Sequence, residues 1–235
     1  MRDIRDGAAP SLDANGAVLL RGPTRVHDFG DDEELTGRYY PECAELIGAA
    51  LGARRVVVFD HNVRRGERLA LRPDRYDQGR PVHHAHTDYT PSSARRRLGD
   101  EFGAEAGDLA RGRWLQVNLW RPLRAPLRDA PLALCDAASV TPSGLHATEL
   151  RYPGRCGEIY YLTHEPGQRW FYASDMGLDE AWLFKNYDSA APGVAMAAPH
   201  SAFTDPRRHP HVPPRESIEV RAFAFLDAGP AAARP

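Results

Sequence analysis

Lysine is almost missing from this chain: of 30 Lys and Arg residues, only Lys185 is a lysine. The bias is that of a GC-rich genome, and it leaves charge strength unchanged. Net charge is also small, at −2, so no global field draws the protein to nucleic acid or an anionic membrane. Cysteine is scarce. Cys43, Cys135 and Cys156 are an odd, sparse set, which excludes a disulfide framework and suits a reducing cytoplasm. Long apolar runs are lacking too. Val56–Phe59 is typical of the longest and far too short to span a bilayer. The opening Met1–Asp6 has no apolar core of a signal peptide. Repeats are absent, and the Gly/Ala/Pro tail 228–235 is expected to fray.

What is present is globular. The 235 residues are 42% hydrophobic and 26% charged, enough for a single domain over 1–235 with a real core. Gly 20 and Pro 20 together exceed the usual share of about 12%, which favours turns and short strands. Acids followed by apolar residues at helical spacing predict a helix in 31–52, with Pro41 opening the helix proper and Gly52 ending it. Strands are predicted at Val56–Asp60, Trp114–Trp120, Leu132–Asp136, Glu158–Leu162, Arg169–Tyr172, Ala181–Tyr187 and Ser217–Phe225. So many strands without regularly interleaved helices read as a sandwich or barrel. Residues 64–80 and 91–112 are polar, and read as loops or short helices over its mouth.

Histidine carries the chemical signal. Three of the ten fall in His83-His84-Ala-His86-Thr-Asp88-Tyr89. In a strand, residues two apart face one side, so His86 and Asp88 point together and make two ligands of a divalent metal. A third, from elsewhere, would complete the two-His, one-carboxylate triad of non-haem Fe(II) sites. His200 lies in the short apolar segment 198–205. Arg215-Glu-Ser217 then opens the last strand, where a guanidinium and a hydroxyl on one face can grip a carboxylate. His-x-Asp and Arg-x-Ser are each weak signals. In this order, with His200 between, they form the pattern of Fe(II)/2-oxoglutarate oxygenases. A competing reading uses His84, His86 and Asp88 as most of the His-x-His-x-Asp-His motif of zinc hydrolases of the metallo-β-lactamase type, which activate water. Tyr89 stands where the final histidine of that motif belongs.

The chain resembles the hydroxylase/desaturase family that includes the cephamycin-pathway hydroxylase and a gibberellin desaturase, often mislabelled as methyltransferases. The matching segments are Tyr40-Pro-Glu42, Val57–Arg64, His86–Thr90, Val117–Pro122, Pro131–Asp136, Asp179–Ser189, Pro199–Phe203 and Arg215–Arg221. The resemblance implies a mainly β, double-stranded β-helix (jelly-roll, cupin-like) fold with flanking helices. It implies Fe(II) on His86, Asp88 and His200, 2-oxoglutarate on Arg215 and Ser217, and O2. The outcome would be hydroxylation or desaturation of a small secondary metabolite. Family members act on unrelated molecules, so the co-substrate is fixed more closely than the substrate.

Several residues remain open on sequence. Asn118 and Arg121 can meet the co-substrate's 1-carboxylate or an acidic substrate, or make a barrel hydrogen bond or surface ion pair. Lys185 can bind a carboxylate in the pocket or pair with Asp188. Tyr89 and Arg95 are candidates for substrate contact. Arg64, Arg65 and Arg95–Arg97 are either solvated charge or a capture surface for an anionic or carrier-linked substrate.

Overall fold

The computed structural model describes residues 1–65, 80–152, 155–206 and 211–227. The tail and most of the polar segment 64–80 lie outside them. Strands fill the positions that β-branched and aromatic residues occupy in sequence. In chain order they are β1 (Arg2–Asp3), β2 (Ala17–Arg21), β3 (Arg55–Arg65), β4 (His86–Thr87), β5 (Trp114–Pro122) and β6 (Leu132–Cys135). There follow β7 (Leu145–Tyr152), β8 (Arg155–Leu162), β9 (Trp170–Tyr172), β10 (Glu180–Asp188), β11 (His200–Ala202) and β12 (Glu216–Phe225). One sheet runs β1-β9-β6-β11-β4-β8-β7, the other β2-β10-β5-β12-β3. Neighbours are rarely consecutive in the chain, as in the double-stranded β-helix expected from the sequence.

The five-stranded sheet has two buried faces, and alternation sorts its residues between them. Leu115, Val117 and Leu119 of β5 and Ile218, Val220, Ala222 and Ala224 of β12 face one apolar cluster. A helix covers that face. It runs as α1 (Asp32–Glu34), a π turn (Leu35–Tyr39) and α2 (Tyr40–Leu51), and lays Tyr39, Cys43 and Ile47 on the sheet at four-residue spacing. Pro41, which has no N–H to give, stands in the first turn of α2, one residue past the widened turn. Gly52 ends the helix at φ 62°, a left-handed conformation that glycine takes without a Cβ clash.

The opposite parity, Gln116, Asn118 and Trp120 with Ser217, Glu219 and Arg221, looks toward the seven-stranded sheet. The 91–112 region forms two helices, α3 (Pro91–Phe102) and α4 (Ala106–Leu109). Thr90 caps α3 in a reciprocal bond pair with Ser93, and Pro91 opens it. Among the described residues, no helix is long and apolar enough to cross a membrane.

Candidate active site

His86 and His200 sit opposite each other where β4 and β11 pair, and this register brings their rings to 4.4 Å between centroids. Asp88, two residues beyond His86, turns to the same side. Its Oδ1 lies 3.4 Å from His86 Nε2 and 3.8 Å from His200 Nε2. One ligand atom from each of the three residues falls within 4.8 Å of the others, a spacing that one ion can bridge. The far nitrogens are occupied by the backbone. His86 Nδ1 is 2.7 Å from the His84 carbonyl oxygen and His200 Nδ1 is 3.4 Å from that of Ala198. Donation there leaves each Nε2 with a lone pair for metal.

The electrostatics suit a cation. Burial, then the neighbouring His86 charge, pushes His200 down to about 3, so it is neutral. Burial also lowers His86, but the Asp88 carboxylate more than offsets it and the net shift is upward. Burial alone would raise Asp88; Arg221 and the two histidines hold it well below the usual carboxylate range. The donor set is thus one carboxylate and two imidazoles, and it fits Fe(II).

Arg215 lines the same pocket, with Trp120, Leu132, Arg64 and Glu219 around it. Its Nη1 donates to the Ala130 carbonyl at 2.7 Å, and its guanidinium lies over the Trp120 ring. Ala130 holds φ at 42°, a conformation costly without glycine, and its carbonyl steadies the arginine. Arg215 Nε has no hydrogen-bond partner among the described residues, although the side chain is buried. Ser217 Oγ, on the same face, is buried and unpartnered as well. Burial, and then Arg64, bring Arg215 down to about 10. A buried cation and a buried hydroxyl with spare donors are what an incoming carboxylate would satisfy.

The remaining candidates fall elsewhere. Asn118 faces the pocket, but its Nδ2 donates to Asp88 Oδ2 at 2.9 Å, so it makes the barrel hydrogen bond. Arg121 has the other parity on β5. Its guanidinium lies over the Tyr39 ring and donates to the Leu178 carbonyl, away from the pocket. Lys185 is fully buried and pairs with Asp188 at 2.7 Å and Asp13 at 2.9 Å, also outside the pocket. Arg95 is exposed on α3, over the Tyr187 ring. Tyr89 packs beside the Phe223 cluster, and burial pushes its hydroxyl up to about 12. His84 is exposed and edge-on to Tyr161, outside the metal cluster, so the zinc-hydrolase trio does not form. Sequence reasoning missed Asn186 and gave Arg221 no place beside Asp88. An inward Arg on the same parity as Ser217 was the available signal.

A family profile described as an Oxidoreductase/YMDC permease-like domain matches residues 1–225. The chain is 35% identical over 248 residues to the hydroxylase/desaturase efuI of Hormonema carpetanum, spanning 97% of this chain and 83% of that protein. It is 34% identical over 220 residues to the alpha-ketoglutarate-dependent dioxygenase phiK of a fungal species, spanning 92% and 79%. A solved structure of the iron and alpha-ketoglutarate-dependent endoperoxidase NvfI superposes with TM-score 0.83 at 28% identity, over 92% of this chain and 80% of that one. Another conformation of NvfI gives 0.85 at 29%, over 96% and 82%. With a jelly roll that gathers two histidines and a carboxylate beside an unsatisfied arginine, the chain belongs to the hydroxylase/desaturase family of Fe(II)/2-oxoglutarate-dependent oxygenases.

Proposed function

We propose that His86, Asp88 and His200 hold the iron, and that Arg215 and Ser217 take the 5-carboxylate of 2-oxoglutarate, all within a single domain working in a reducing cytoplasm. The observation that carries this reading is the meeting of the three ligand side chains and the incompletely bonded Arg215 in one pocket. Bound iron supplies the oxidation of a substrate C–H bond, driven by decarboxylation of 2-oxoglutarate to succinate.

The chain's own groups do the rest. Arg215 orients the co-substrate through two parallel hydrogen bonds, with Trp120 beneath it and Ala130 behind. Val82, Leu132 and Ala202 line the pocket and keep water from the reacting centre. The backbone carbonyls at His84 and Ala198 fix which nitrogen of each histidine faces the metal. The substrate is a small molecule. An anionic one, free or carrier-linked, would meet Arg64, which lines the pocket; Arg95 and Arg97 are already engaged with Tyr187 and Phe59.

His200→Ala removes one of three ligands without touching the Arg215 end. Iron content after anaerobic loading and succinate formation should both be lost. Wild-type values for both would remove His200 from the site.

A further inference from the structure

Arg221 has no place in binding the co-substrate, because every arm of its guanidinium is committed. Nε donates to Asp88 Oδ2 at 2.8 Å, Nη1 to Asp60 Oδ2 at 3.0 Å and Nη2 to Glu219 Oε1 at 3.3 Å. Asp88 Oδ2 accepts a second bond, from Asn118 Nδ2 at 2.9 Å. The two oxygens of one carboxylate therefore have different surroundings: Oδ2 carries two donors, while Oδ1 faces the histidine nitrogens.

We propose that Arg221 and Asn118 restrict Asp88 to a single-oxygen contact with iron, and so keep open a coordination position the oxidation requires. The inference rests on the reading that Asp88 is an iron ligand. Iron takes six donors. Three come from the protein, 2-oxoglutarate needs two and O2 needs one. A chelating Asp88 would occupy one of the last three. Its Oδ2 would have to give up two hydrogen bonds, one of them to a buried guanidinium, to do so.

The backbone is shaped for this arrangement. Arg221 and Asn118 are directly paired across β12 and β5. A bulge in β10 between Lys185 and Tyr187 carries Asn186, whose Nδ2 donates to Asn118 Oδ1 at 2.8 Å. Asn186 Oδ1 in turn accepts from the Asp88 backbone N–H at 3.2 Å. That closes a ring through Asp88, Asn118 and Asn186 and settles which way each amide points. A second irregularity, in the β12–β3 pairing, lies between Arg221 and Ala222, where the extra residue is Phe59 of β3. A bulge re-aims a side chain in this way, and the one in β10 turns Asn186 toward Asn118 and Asp88.

The test compares Arg221→Met, Arg221→Lys and Asn118→Ala with wild type, under anaerobic conditions. Mn(II) affinity is measured first. 2-Oxoglutarate is then titrated into the Fe(II)-loaded protein and followed by the charge-transfer absorption that its chelation produces. In Arg221→Met the dissociation constant for 2-oxoglutarate should rise about tenfold or more while Mn(II) still binds. Arg221→Lys, which can return one donor to Oδ2, should recover part of the loss, and Asn118→Ala should show a smaller loss. A wild-type titration in both Arg221→Met and Asn118→Ala would overturn the proposal. If Arg221→Met does not fold, Asn118→Ala decides it. A structure of the Mn(II)-loaded wild type is expected to place only Oδ1 in contact with the ion; both oxygens in contact would overturn the proposal independently. Wild-type protein that binds no metal would instead sink the underlying ligand assignment.

Discussion

Arg215 and Arg221 stand just before β12 and in its middle, and both line one pocket. Arg221 is surrounded by the carboxylates of Asp60, Asp88 and Glu219. Arg215 has a carbonyl, an aromatic ring and a spare donor. Buried charge is costly unless paired, so an unmet donor that faces a pocket is one a ligand can satisfy. The Nε atoms of Arg65, Arg97 and Arg121 also lack a partner among the described residues, but none of those three lines the pocket, and Arg215 does. Lys185, the sole lysine, belongs with Arg221: Asp13, Asp188 and the Ala195 carbonyl surround its ammonium. Arg221 and Lys185, with acidic partners on every side, hold the protein together; Arg215, facing the pocket with a donor to spare, is placed to take an anion.

That distinction can be broken by substitution. The largest effect is expected from Lys185→Met, which leaves Asp188 buried with only Arg113 as a charged partner. Losing one partner of a buried pair costs about 3 kcal/mol, at the low end because Arg113 remains. Thermal unfolding should shift down by roughly 6–12 °C, with KM for 2-oxoglutarate unchanged. A changed KM would bring Lys185 back to the site.

Arg215→Lys reverses the pattern. Stability should hardly move, while loss of the two-pronged contact costs roughly 1.5–3 kcal/mol, raising KM for 2-oxoglutarate about 10- to 150-fold. Unaltered co-substrate kinetics would contradict the role given to this arginine.

The smallest effect concerns Glu219. Burial, and then the nearby Asp88 charge, raise its carboxyl; Arg221, Arg64 and His86 act the other way without cancelling the shift. The fold thus favours the protonated form. Its stabilising contribution is complete below the ordinary glutamate range and is lost as pH rises through the raised value. Glu219→Gln imitates that form and keeps an oxygen for Arg221. Its melting temperature should exceed that of wild type by about 1–3 °C at pH 8, and the gap should close near pH 4. A gap independent of pH would point to packing.

Much of this was legible in the chain. The strands declared themselves by β-branched and aromatic runs, and His86, Asp88, His200 and Arg215 by type and order. Sidedness was harder. Every position of β5 and β10 is buried, so polar-out, apolar-in alternation could not tell which parity faces the pocket. For that reason Asn118 and Arg121, three residues apart, looked equivalent, and Lys185 looked available. Asn186 was invisible because a bulge, not the strand period, turns it inward. Strand β2 was missed beside the longer runs, and α3 was signalled only by Thr90-Pro91.

The β4–β11 ladder consists of a single residue pair, His86 with His200, and the chain lays down β5 through β10 between its two halves. Closing so long a loop for one pair returns little enthalpy, so this seam is expected to form late in folding. An ion held by both histidines would clasp the seam after the rest of the barrel is built. Metal should therefore slow unfolding far more than it speeds folding, and the ion that equips the enzyme for chemistry would also set how long each molecule lasts.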